Sequence, residues 1–134
     1  MFKFEKLEIY QLALDYVDRC YALSERLPDH ERYNLVQQLR RAATSVVLNI
    51  AEGSTGQSDA EQTRFLGMAL RSLLETVACQ QLIRRRGYLD DVALITPAYQ
   101  QAETLARRIQ AMRRAIMPRQ AGLGEEEVQY AAEE

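Results

Sequence analysis

The stretch from Gln37 to Glu61, QQLRRAATSVVLNIAEGSTGQSDAE, narrows the choice of fold more than any other part of the chain. Leu35, Leu39, Ala42, Val46, Asn49 and Ile50 recur at steps of mostly three and four, the spacing that gathers side chains on one helix face. Small Ala42 and Ala43, on or beside that face, allow a neighbouring helix to approach closely. Gly53 and Gly56 tolerate the left-handed conformation that closes a helix C-terminus, so the helix is expected to stop near Gly53. Ser58 then reads as the N-cap of the next helix. Its hydroxyl can accept from the Glu61 N–H while the Glu61 carboxylate reaches back to the Ser58 N–H. Helix, tight break and helix follow in that order.

Similar patterns flank this stretch. From Glu5 or Lys6 to about Leu27, the residues Ile9, Leu12, Tyr16, Cys20, Leu23 and Leu27 form an apolar stripe, widened by Ala13 and Val17. Pro28 ends it, because the residue before a proline avoids helical geometry. The connection from Pro28 to Glu31 is short, so a second helix, roughly Glu31 to Ala51, should pack antiparallel to the first. A third helix is predicted over Asp59 to Arg86. Leu66, Ala69, Leu70, Leu73, Val77, Gln81 and Arg84 share a face that turns polar towards its end, and Phe65 and Leu74 broaden it. So wide a stripe suggests more than one neighbour. Gly87 suits the C-cap.

A fourth helix starts either at Thr96, as N-cap before Pro97, or near Asp90 with a kink at the proline. Ile95, Ala98, Ala102, Leu105, Ile109, Met112 and Ile116 then alternate steps of three and four. That pattern suits left-handed bundle packing near about 20°. Pro118 ends the helix.

The expected architecture is therefore all-α, an antiparallel up-and-down four-helix bundle over residues 1–117, followed by an acidic tail over 118–134. At 134 residues the chain can build one core without disulfides or metals. No run of about 18 apolar residues exists to span a membrane, and acids in MFKFEKLEIY occupy the place of a signal-peptide core. A cytoplasmic protein is expected, with Cys20 and Cys79 as reduced core residues. The net charge of −2 is uneven. The tail holds Arg119 against Glu125, Glu126, Glu127, Glu133 and Glu134, a sum of −4, which leaves residues 1–117 at +2. That excess is small for a dedicated nucleic-acid binder, and the sparse composition of the tail predicts disorder.

Chemistry is scarce. His30 is the only histidine and falls in a connection, so the Glu-x-x-His pairs of a di-metal bundle cannot be assembled. Gly53 to Gly56 lacks the lysine of a phosphate-binding loop. No catalytic residue, metal site or cofactor is expected. Asn49, on the apolar stripe, needs hydrogen-bond partners that fix helix register or close the turn at Gly53. Glu52, unfavourable at a helix C-terminus, calls for a cation such as Arg40, Arg41 or Arg71. The remaining feature is four arginine clusters: Arg40-Arg41, Arg84-Arg85-Arg86, Arg107-Arg108 and Arg113-Arg114. Each is either a solvated helix face or a set of planar forks suited to phosphate.

The run QLRRAATSVVLNIAEGS, followed by SDAEQTRFLGMALRSLLE and RRGYL, resembles the four-helix-bundle family encoded in 23S rRNA intervening sequences. That family is in turn similar to the accessory variability protein of diversity-generating retroelements. The resemblance runs from about Phe4 to about Met117, and its markers include Arg40, Arg41, Asn49, Glu52, Gly53, Ser58, Glu61, Ser72, Glu75, Gly87 and Tyr88. The chain departs from the family at Gly56–Gln57, where relatives often carry a basic residue, and at Arg71, where they often carry glycine. The resemblance implies a bundle that assembles as a ring-like homopentamer, with no established enzymatic activity. It also raises the nucleic-acid reading of the arginine clusters. The expectation is a non-enzymatic scaffold that self-associates and binds RNA or DNA through surface arginines. The alternative is a module that docks another protein and has no nucleic-acid role.

Overall fold

The computed structural model describes residues 1–56 and 58–117; the acidic tail 118–134 lies outside the described residues. Four helices form the body: α1 Glu8–Glu25, α2 Leu35–Gly53, α3 Asp59–Arg86 and α4 Thr96–Ile116. Among the described residues there is no strand. Packing runs around a square, α1 on α2, α2 on α3, α3 on α4 and α4 on α1.

Cross-helix partners show that each neighbour runs antiparallel. Ser24 meets Arg40 while Tyr21 meets Thr44. Arg41 meets Glu75 while Ser45 meets Ser72. Arg113 reaches Thr63 at one end of the α3–α4 seam while Arg84 reaches Asp91 at the other. On the fourth seam Glu8 pairs with Arg108 and Arg19 with Gln101. In every pair the number rises on one helix as it falls on the other.

The interior is built from the expected stripes, with one slip. Ile9, Ala13, Tyr16, Cys20 and Leu23 of α1 are buried against Leu39, Ala43, Val46 and Ile50 of α2 and Ile95, Ala98, Leu105 and Ile109 towards α4. On α3, burial follows Leu66, Ala69, Leu70 and Leu73 and then Thr76, Gln80 and Ile83 rather than Val77, Gln81 and Arg84. Polar Thr76 and Gln80 are drawn inside because the hydroxyl of Tyr16, fully buried in α1, needs partners there. Gln80 Nε2 donates to Tyr16 Oη at 2.7 Å, Tyr16 Oη meets Thr76 Oγ1 at 2.7 Å, and Thr76 donates to the Leu73 carbonyl at 2.5 Å. This one-way chain bonds α1 to α3 across the centre of the bundle. Burial pushes the Tyr16 phenol well above its ordinary range, and pushes the Cys20 thiol up to about 12. Both stay protonated at neutral pH.

Element ends differ from expectation in physically readable ways. A 3-10 turn, Lys3–Lys6, precedes α1, and Phe4 packs edge-on against Tyr10 with ring centroids 4.9 Å apart. Instead of starting at Glu31, α2 starts at Leu35, after a 3-10 turn over Asp29–Glu31. The Glu31 carboxylate is turned inward, accepting from Tyr88 Oη at 2.7 Å and Asn34 Nδ2 at 3.1 Å. Asn34 itself has φ −128° and ψ −96°, outside helical geometry.

Gly53 does not close α2 in a left-handed conformation; it is the last helical residue, and Gly56 carries the positive φ of 87°. The requirement at Gly53 is space, since a Cβ there would lie 2.9 Å from Phe65 Cβ. Ser58 caps α3, accepting from Glu61 N–H at 3.1 Å. The reciprocal half of the box is replaced by Arg64, which takes both Glu61 oxygens at 3.1 Å. Gly87, at φ 71°, ends α3 as expected.

Both starts open for α4 leave their mark: α4 itself begins at Thr96 with Pro97 in its first turn, and the region of the earlier start forms a wide turn leading into it. Asp90 Oδ1 accepts from Ala93 N–H at 2.7 Å, and a wide π-turn over Asp91–Ile95 runs directly into α4. Thr96 is already helical, with φ −58° and ψ −45°. The wide turn accommodates Pro97, whose ring crowds the carbonyl four residues back in a regular helix.

Candidate nucleic-acid interface

Along the outer side of α2, and reaching Tyr21 of α1, lies an open groove of about 780 Å³. Tyr21 of α1 forms one wall. The other side carries Arg32 and Tyr33 from the turn before α2, then Val36, Gln37, Arg40, Arg41, Thr44, Ser45, Leu48 and Asn49 along the helix. No carboxylate is among the lining residues. Tyr33 is 82% exposed and Leu48 61%, so an aromatic ring and an aliphatic side chain face solvent beside three guanidinium groups.

The groove arginines are held to different degrees. Arg40 is half-buried. Its Nε donates to Ser24 Oγ at 2.8 Å, and its guanidinium carbon lies 5.0 Å from the Tyr21 ring centroid. It is a cation stacked on an aromatic face, and its rotamer is largely set before any ligand arrives. Arg41 pairs with Glu75 at 2.6 Å on an open surface, where an ion pair contributes little and can be exchanged for another anion. Arg32 reaches Asp29 only at 3.5 Å. Below them, Asn49 Nδ2 donates to Ser45 O at 2.9 Å and Ser45 Oγ at 3.0 Å, and Ser45 Oγ meets Ser72 Oγ at 2.8 Å. Asn49 is half-buried and bonds back within α2; the bond that crosses to α3 is the one from Ser45, and Asn49 makes no bond at the Gly53 turn.

The mouth of the groove is latched from a distance. Glu31, just before Arg32 and Tyr33, is bonded to Tyr88 beyond the end of α3, and His30 Nε2 lies 3.1 Å from the same Tyr88 oxygen. The Tyr88 hydroxyl holds the Glu31 carboxyl below its ordinary range, and Glu31 in return holds the Tyr88 phenol above its own.

The other predicted arginines are not gathered here. Arg84, Arg85 and Arg86 occupy the last turn of α3, where the helix dipole favours cations, and Arg84 pairs with Asp91 at 2.9 Å. Arg107 and Arg114 are exposed on α4, and Arg108 is taken by Glu8. Arg113 is not a surface cation but lies half-buried on α3, donating to Thr63 O at 3.2 Å. The four clusters make separate surfaces, not one stripe. Glu52 is exposed, and among the described residues no arginine pairs with it. Tyr21, Arg32, Tyr33 and Leu48 belong to the site although sequence reasoning passed over them. The one signal was that Tyr21 and Tyr33 lie off every apolar stripe.

A family model, described as 23S rRNA-intervening sequence protein, matches residues 5–115. The chain belongs to that family. The match covers α1, α2, α3 and all but the last residue of α4, with both walls of the groove. No curated protein matches this 23S rRNA-intervening sequence protein family member. Among its described residues, no helix is long and apolar enough to cross a membrane.

Proposed function

We propose that this chain is a non-enzymatic, cytoplasmic scaffold that self-associates and binds single-stranded nucleic acid along the α1–α2 groove. The observation that carries the reading is the company the arginines keep. Single strands are bound by aromatic faces that stack on bases and by cations that follow the phosphates, and Tyr21, Tyr33, Arg32, Arg40 and Arg41 supply both in one channel, where Arg41 and Arg32 exchange their exposed partners Glu75 and Asp29 for the phosphates. Contacts of this kind discriminate weakly between sequences. Self-association is supported by the outer side of α3, where Leu74, Ala78 and Leu82 repeat every four residues, with Leu74 39% and Leu82 49% exposed. In the ring of five that the resemblance implies, the groove repeats five times, and a modest charge per subunit accumulates.

The test is RNA binding by the purified, nuclease-treated protein, titrated from low to physiological salt beside its mass in solution. Binding that weakens with salt, by an oligomer that Leu74→Glu/Leu82→Glu dissociates, is the expected result. No binding at low salt removes the nucleic-acid reading. The exposed α3 row then favours the second reading, a module that docks another protein.

A further inference from the structure

The C-terminus of α3 is closed by two backbone bonds. Gly87, at φ 71°, donates its N–H to the Arg84 carbonyl at 3.0 Å, and Tyr88 donates its own to the Ile83 carbonyl at 3.3 Å, the paired closure of a left-handed helix end. Ile83 is fully buried, so Tyr88 leaves the helix from a fixed point. Its ring packs against the core, and its hydroxyl reaches across to the turn that precedes α2.

That turn brings Arg32 and Tyr33 to the groove. Its backbone bonds are local: Glu31 N–H to Pro28 O at 2.9 Å, Arg32 N–H to Asp29 O at 3.0 Å, and Asn34 N–H to Glu31 O at 3.0 Å. Arg32 and Tyr33 are exposed, so neither holds the turn by burying itself. The polar ties from the turn to the far end of α3 converge on one atom, Tyr88 Oη, with the Glu31 carboxylate at 2.7 Å and His30 Nε2 at 3.1 Å. A tyrosine hydroxyl has one proton to give, and the carboxylate takes it, so His30 donates through its Nε2–H. The second Glu31 oxygen accepts from Asn34, the residue between Tyr33 and α2, at 3.1 Å. A buried carboxylate is rare without a cation and is costly unless it is bonded. Glu31 is buried on neutral donors. Remove the Tyr88 hydroxyl and the carboxylate is better placed in water, which frees the turn to move.

We propose that Tyr88 is a positioning residue for the groove: through Glu31, its hydroxyl holds Arg32 and Tyr33 where they face a ligand. The consequence for binding rests on the nucleic-acid reading of the groove; the holding of the turn does not. The test compares full-length wild type with Tyr88→Phe, which keeps the ring and removes only the oxygen, well below both melting temperatures. Amide hydrogen exchange at Arg32 and Asn34, followed by NMR, should be about fivefold faster in Tyr88→Phe, the loss of one hydrogen bond, with Val46 and Ile50 of α2 unchanged. A short uridine-rich RNA should bind Tyr88→Phe about fivefold more weakly. The same substitution should have no further effect on binding in an Arg32→Gln/Tyr33→Ala background. A tyrosine that served stability alone would lower the melting temperature and leave both readouts of the folded protein where they were. Unchanged exchange at Arg32 and Asn34 overturns the proposal, as does an RNA affinity that is unchanged or falls equally in both backgrounds. Faster exchange with RNA bound by neither protein strikes only the nucleic-acid reading and leaves Tyr88 holding the turn.

Discussion

The α1–α2 face and the outer face of α4 carry similar numbers of arginines, yet they are built for different work. On α4, Arg107 and Arg114 stand in solvent and Arg108 is tied to Glu8, with no exposed aromatic ring between them. On α1–α2, Arg40 is stacked on Tyr21 and braced by Ser24, with exposed Tyr33 close by. Counting charges makes the two faces equal; what distinguishes them is whether the cation's geometry is fixed and whether a ring lies within reach of the same ligand.

The comparison breaks most visibly in RNA affinity. Base stacking contributes about 1–3 kcal/mol per base, so Tyr33→Ala combined with Arg40→Gln should weaken RNA binding about tenfold or more. Circular dichroism melts should show a loss of only about 1 kcal/mol, because Tyr33 is exposed and Arg40 gives up one bond to Ser24. A loss of binding that tracked a loss of folding would erase the distinction.

A second effect concerns the support beneath the groove. Ser45→Ala removes the bond to Ser72 and one of the two acceptors of Asn49. It should cost about 1 kcal/mol in urea unfolding. An unchanged midpoint would mean that these bonds do not fix α2 on α3.

The latch at the groove mouth gives a pH-dependent effect. The Glu31 carboxyl is held below its ordinary range in the folded protein by the Tyr88 hydroxyl. Its stabilisation is therefore complete above the unfolded glutamate value of about 4.3, and is lost as pH falls through the lower folded value. Tyr88→Phe should accordingly melt below wild type near neutral pH, with the two curves converging in acid. Parallel curves at every pH would deny the latch.

The smallest effect belongs to α4. Arg107→Gln/Arg114→Gln should lower RNA affinity by less than about threefold and leave the salt slope almost unchanged. If both arginines met phosphates, the slope would fall by about 1.4, at about 0.7 per single-strand contact.

Much of the fold was legible in the sequence because a helix facing one core repeats every three or four residues, as α1, α2 and α4 do. Legibility failed where a tertiary partner overrode the local pattern. Thr76 and Gln80 look like surface residues until the Tyr16 hydroxyl is placed beside them. Gly53 looks like a left-handed cap until α3 brings Phe65 against it. The groove was the least legible feature. Its tyrosines come from α1 and from the turn before α2, and only the antiparallel pairing of those helices brings them beside Arg40. Arg113 was misplaced for a related reason, since the space it fills is opened by Gly67 on another helix.

The most direct test of the central claim is photocrosslinking of a uridine-rich RNA to the full-length, nuclease-treated protein, with the crosslinked tryptic peptides mapped by mass spectrometry. The groove reading predicts crosslinks on the peptide from Tyr33 to Arg40 and on that from Cys20 to Arg26, which carry the two tyrosines. Crosslinks confined to the α4 peptides around Arg107 to Arg114, with none on Tyr21 or Tyr33, would contradict it.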